Sequence, residues 1–459
     1  MVKFIWLVFG FFGAIDATAK EFYNASYKIT VPDATPGETF KIGYRHGNQT
    51  YLKDTLFAGP GGEMLFEPDT IASGVYLLVF TELENKYVEF IINEPNFSIS
   101  TTKANMLKDM AQKGSKENEL FIAYLSTLEN VRLEADNLNK KKEAGENVEL
   151  QLTALDEKVK SVQKDLIAKN PNTLVAKLIK ASMEPTLPTV PAGLSETDAN
   201  NWRFYRYRKV YFNGVDFSES GLVRTPILYN KLEYYLDKLT IQHADSVIKS
   251  IDYIMGLANK NEEVMQFVSA HILNKYAKSK VICMDKAYVH MALNYYTLDK
   301  AKWLNENQRE KILTNANTLK NLLCGIKAPN FTLPNFYGRE VSLHSISSPN
   351  IVLLFYGEDC GNCTKTINEL IELKQSANFE FQVVAVSTSS NKDGWIEYIN
   401  NHPEMKSWVN VSLQTDYSVR RVYDIKITPF IYLLNSEHEI MYKRLDVSQI
   451  NSILLNEGR

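Results

Sequence analysis

The chain is most tightly constrained around Cys360-Gly361-Asn362-Cys363. Just before this motif, Val352 to Phe355 is a short apolar run suited to a buried strand. Just after it, Ile367, Leu370 and Leu373 recur at helical spacing. The cysteine pair therefore ends a strand and opens a helix. Phe381 to Val386 and Phe430 to Leu434 read as two further strands. Strands joined through a helix need a crossover and pair in parallel, which gives residues 326–459 an α/β architecture. Thr428-Pro429 stands directly before the last of these strands.

That placement carries chemistry. At a helix N-terminus the unpaired N–H groups and the helix dipole favour a thiolate, the species that attacks disulfides. Cys360 is thus the candidate nucleophile. Cys363, one turn further on, is the candidate resolving thiol, and Gly361 is expected to permit the turn between them. A zinc half-site would need two more ligands, and none of the seven histidines lies within ten positions of the motif. No metal or other cofactor is expected beyond the Cys360–Cys363 disulfide itself. A structural disulfide would leave the order strand, cysteine pair, helix, Thr-Pro as coincidence. A Cys–His hydrolase would not need the second cysteine. The other two cysteines, Cys283 and Cys324, stand alone in apolar helical surroundings. Buried, inert thiols are expected there in preference to a mutual disulfide.

At 459 residues the chain should hold about two or three domains. Residues 1–19 have the layout of a cleaved signal peptide: Lys3, an apolar run from Phe4 to Ile15, and Ala17-Thr18-Ala19. The apolar run is shorter than the ~20 residues that span a bilayer, so an exported, periplasmic protein is expected. Residues 20–103 alternate with period two, as in Phe40, Ile42 and Tyr44 and in Val75, Leu77 and Val79, between turn signals such as Glu84-Asn85. They read as a small antiparallel β-sandwich suited to docking or dimerisation. Residues 104–325 change to helical periodicity, with Leu152, Leu155, Val159, Val162 and Leu166 on one stripe. The aromatic run Phe204, Tyr205, Tyr207, Tyr211 and Phe212 is read as core, and Asp216 to Tyr235 as a segment that could line a groove. A net charge of −3 and the lack of a basic stripe give no case for nucleic acid.

The C-terminal segment resembles the TlpA/ResA-like branch of the thioredoxin superfamily. The resemblance rests on Ala328-Pro329-Asn330-Phe331-Thr332-Leu333, then Tyr337 to Leu343, the Cys360–Cys363 pair, and Tyr423-Asp424-Ile425 with Thr428-Pro429. The β-rich front and helical middle also resemble companion domains of Bacteroidetes envelope proteins, which carry no assigned function. The branch implies a thioredoxin fold, with a cis Pro429 placing Thr428 against Cys360 so that its backbone can pair with a substrate. It implies dithiol–disulfide exchange on envelope proteins, with protein thiol or disulfide substrates and an upstream electron donor. The sequence departs from the branch in three places. Asp359 replaces the usual Trp, with Glu358 behind it; Leu354 and Thr366 replace the two buried acids that could serve Cys363. The carboxylates of Glu358 and Asp359 would oppose a Cys360 thiolate, which points to a reducing couple. The rival reading is a docking protein whose thioredoxin domain is a recognition platform with little turnover.

Overall fold

The computed structural model describes residues 20–457; the expected signal peptide, residues 1–19, lies outside them. These residues form two compact units. Residues 20–242 and 249–268 make one, and residues 243–248 and 269–457 the other, so helices of the central region contribute to both. No helix among the described residues is long and apolar enough to cross a membrane.

The first unit opens with two four-stranded sheets. One has the order Gln49–Phe57, Thr39–His46, Gly74–Phe80, Lys86–Ile92, all antiparallel. The other is Ala111–Lys113, Asn96–Ser100, Ser26–Thr30, Glu63–Phe66. It is antiparallel except that Ser26–Thr30 runs parallel to Asn96–Ser100, where the sequence suggested antiparallel pairing throughout. Local alternation cannot reveal which distant strands become neighbours. The shared core takes Tyr27, Ile29, Phe40, Ile42, Phe66 and Phe90.

Two alternation readings change in the fold. A register shift after Ile42 breaks the pattern, so Gly43 is buried and Tyr44 only half-buried. In Gly74–Phe80 the sandwich core takes Tyr76, Leu78 and Phe80 rather than Val75, Leu77 and Val79. Val75 and Leu77 are buried on the opposite face, against which the turn Ser220–Arg224 packs.

The helical hairpin consists of Lys116–Glu143 and Glu149–Lys169, with Gly145 left-handed at φ +92° in the connection. Of its predicted stripe only Leu155 is fully buried, so the hairpin is a peripheral feature. The aromatic run divides: Tyr211 and Phe212 are core, in tilted and edge-on ring contact with Tyr235 and Phe217, whereas helix Glu196–Val210 buries no residue and Tyr205 is exposed. The segment Asp216 to Tyr235 supplies scaffold contacts within the first unit. Its Arg224 is buried, donates to both carboxylate oxygens of Glu263, and bonds the carbonyl of Ser73.

The second unit contains helices α1 (Asp285–Tyr295) and α2 (Glu306–Lys320), a short hairpin of Thr332–Pro334 with Glu340–Ser342, and a five-stranded sheet. The strands are β1 (Asn350–Tyr356), β2 (Gln382–Ser387), β3 (Val409–Ser412), β4 (Phe430–Asn435) and β5 (Ile440–Lys443), in the order β3-β2-β1-β4-β5. The β1–β2 and β2–β3 pairs are parallel and the β1–β4 and β4–β5 pairs antiparallel. Helices α3 (Gly361–Ser376), α4 (Lys392–Asn401), α5 (Ser418–Val422) and α6 (Val447–Glu457) complete it. Strand β1 is central and buried on both faces, which explains an unbroken apolar run instead of alternation. Val352 and Leu354 face one core cluster; Leu353 and Phe355 face the other.

Cys283 and Cys324 are joined as a disulfide, with Cα atoms 5.7 Å apart, and are not the inert thiols expected. Cys283 precedes α1 and Cys324 follows α2. The two helices pack together and fold back, returning residues 41 positions apart to one end of the pair. Neither cysteine is fully buried. Their apolar neighbours in sequence concealed a pairing that only the helical turn-back creates.

Candidate active site

Strand β1 ends at Tyr356, the chain turns through Gly357, Glu358 and Asp359, and α3 begins at Gly361. Cys360 is the N-cap of α3, in extended backbone (φ −106°, ψ 104°). Its Sγ accepts the N–H of Cys363 at 3.2 Å, and its carbonyl accepts the N–H groups of Cys363 and Thr364. The sulfur thus takes the position of a capping oxygen, where helix N–H groups favour negative charge. Cys360 is partly exposed and Cys363 wholly buried, and the two are joined as a disulfide. An attacking thiol has to be reachable; a resolving thiol needs only to reach its partner.

The Thr428–Pro429 peptide is cis. The carbonyl oxygen of Thr428 lies 3.6 Å from Cys360 Sγ, although the two residues are 68 positions apart in sequence. Thr428, Pro429 and Phe430 are all half-exposed beside the partly exposed sulfur. Antiparallel pairing of Phe430 with Phe355 sets this approach, because it brings the start of β4 to the end of β1.

The remaining predicted residues divide. Glu358 is half-buried, and its Oε1 accepts a 2.5 Å hydrogen bond from Ser387 Oγ. Asp359 and Asn362 are exposed. Gly361 is already helical and a Cβ there would meet nothing within 4 Å, so the turn does not need glycine, contrary to the expectation. Leu354 is fully buried among apolar side chains. Among the described residues no cluster of three His, Cys, Asp or Glu could hold a metal.

Several neighbours carried no signal in the sequence. Tyr356 pairs with Ser387 in the parallel β1–β2 register, which delivers Ser387 to Glu358. Thr388 bonds the Tyr356 carbonyl through both its N–H and its hydroxyl. The Tyr356 phenol accepts from Trp395 Nε1 at 3.1 Å, and burial pushes its pKa far above the ordinary phenol value. Thr364, next to Cys363, shares a 3.3 Å hydrogen bond with Tyr398. Only the adjacency of Tyr356 to the motif could have suggested any of these.

Residues 324–443 match the family model described as AhpC/TSA family, and residues 151–321 match a domain of unknown function (DUF5106). The C-terminal segment is a thioredoxin-like domain. This domain is similar to the thiol-disulfide oxidoreductase ResA of Bacillus subtilis (strain 168), at 31% identity over 121 residues. That match covers 26% of this chain and 64% of the relative, so the chain spans a little under two thirds of the relative's length. Among solved structures, a thioredoxin-like protein from Bacteroides caccae is similar at 20% identity and a TM-score of 0.46, over 59% of this chain and 98% of that one. A thiol-disulfide oxidoreductase from Bacteroides fragilis is similar at 21% identity and a TM-score of 0.24, over 28% of this chain and 99% of that one. In the thioredoxin-like domain the cysteine pair and the cis-proline come from opposite ends of the segment.

Proposed function

We propose that the chain is an exported thiol–disulfide oxidoreductase that reduces disulfides of envelope proteins. The observation that carries this reading is Cys360 Sγ, partly exposed, capped by the Cys363 N–H and 3.6 Å from the Thr428 carbonyl. In the dithiol state the Cys360 thiolate attacks one sulfur of a substrate disulfide, and the other substrate sulfur leaves as a thiolate. The Cys363 thiolate then attacks Cys360 Sγ in the mixed disulfide. The substrate leaves with two thiols, and Cys360–Cys363 is left oxidised. Two electrons from an upstream dithiol donor restore the pair. The backbone at Thr428 and Pro429 supplies the surface on which the substrate strand lies. The carboxylates of Glu358 and Asp359 near the nucleophile support a reducing couple, since they disfavour the Cys360 thiolate. The likeness to ResA supports the same class of reaction.

Equilibration of the mature protein with glutathione or dithiothreitol buffers tests the reading. A Cys360–Cys363 potential near or below about −250 mV is expected of a reductant, and one above about −150 mV would make the protein an oxidant or isomerase. The variant C363S is expected to accumulate a mixed disulfide with substrate through Cys360, whereas C360S is not. A pair that neither exchanges nor alkylates after mild reduction would leave the docking reading in its place.

A further inference from the structure

We propose that a groove beside the cis-proline docks an acidic, extended protein segment flanking the disulfide that the enzyme reduces. The inference rests on the redox reading above and names its substrate class. The groove lies within the second unit, between α2 and the segment from α5 to Lys426, and has a volume of about 750 Å³. Lys311, Arg420, Arg421 and Lys426 line it, against two carboxylates, Glu310 and Asp424. One of those carboxylates is already engaged, since Asp424 pairs with Lys426 at 3.2 Å.

The basic groups are held from both walls. Lys426 Nζ also reaches Asn315 Oδ1 of α2 at 3.4 Å, and Arg420 Nε donates to the Ile425 carbonyl at 3.0 Å. Lys311 and Arg421 are exposed and form no ion pair among the described residues. An incoming carboxylate thus meets cations whose charge is not already neutralised. Aspartate and glutamate flanks fit this lining, and lysine flanks would be repelled.

Position gives the groove its connection to the chemistry. Lys426, Ile427 and Thr428 run directly from its wall to the carbonyl that faces Cys360 Sγ. At about 3.3 Å per extended residue, a substrate chain paired at Thr428 enters the groove roughly three to five residues from its reacting cysteine. Between the two sites Ile427 is 70% exposed, an apolar contact for the intervening residues.

The test uses the mature full-length protein and synthetic disulfide peptides identical except for Asp/Glu or Lys residues three to five positions from the cysteine. The expected result is a kcat/KM about tenfold higher for the acidic peptide at low ionic strength, the preference shrinking as salt is added. The charge-reversed variant K311E/R421E is expected to favour the lysine peptide. That gain distinguishes recognition from damage to the fold. Equal kcat/KM for both peptides in the wild type, or an unchanged acidic preference in the variant, overturns the groove assignment while the redox reading stands. Failure of the wild type to reduce either peptide or a small aromatic disulfide overturns both.

Discussion

Removing the Cys283–Cys324 disulfide should destabilise the C-terminal unit without touching its redox pair. The bridge closes a loop between residues 41 apart. In the chain-entropy model such a loop restricts the unfolded state by about 13 cal/mol/K, or about 4 kcal/mol at 25 °C. For a unit of about 200 residues this corresponds to a fall in thermal midpoint of roughly 8–16 °C. Either single substitution opens the same loop. The variants C283A, C324A and C283A/C324A should therefore lose nearly the same stability instead of summing. Urea unfolding followed by tryptophan fluorescence measures this, since Trp303, Trp395 and Trp408 all lie in the unit. Losses below about 1 kcal/mol, or a double variant that costs the sum of the singles, would refute the loop-closure reasoning. Retained disulfide exchange in the double variant is expected, because the Cys360–Cys363 pair closes its own separate loop.

Two further outcomes are expected. Lys443 is buried, ion-paired with Asp285, and donates to the Leu322 carbonyl at 2.5 Å. Burial holds its pKa below the ordinary lysine value although Asp285 pulls it up, so the unfolded chain holds this proton more tightly than the folded one. Asp285→Asn should cost about 3–5 kcal/mol at pH 7. The cost should shrink as the pH rises towards 10.5, where a neutral amine needs no counter-ion; urea curves giving an equal cost at pH 7 and pH 10 would refute this. In the other unit, burial raises the pKa of Glu38, but hydrogen bonds from Lys103 and Thr35 outweigh it and hold the carboxyl below 4.5. Its folded pKa is depressed, so its stabilisation is present above pH 4.5 and is lost as pH falls through the folded value. The stability gap between wild type and E38Q should therefore close on acidification, and a gap of constant size would count against the assignment.

The strand–CxxC–helix order and the Thr-Pro directly before β4 were legible in the sequence because they depend on local order. A buried strand, a helix opening and a turn each leave a mark within a few residues. The switch from period two to helical periodicity was legible for the same reason. Features that depend on pairing between distant segments were not legible. The bridge from Cys283 to Cys324 needs α1 and α2 to fold back on each other. The parallel pairing of Ser26–Thr30 with Asn96–Ser100 is a choice of neighbour that alternation does not encode. Ser387 reaches Glu358 only through the β1–β2 register. Gly361 looked like a turn residue from its place between the cysteines, yet the helix had already begun there. Which atoms can do thiol chemistry follows from the amino-acid order alone, because reactivity belongs to residue types and their immediate backbone. What faces those atoms is a product of the tertiary fold, because the Thr428 carbonyl reaches Cys360 only through strand pairing across the sheet.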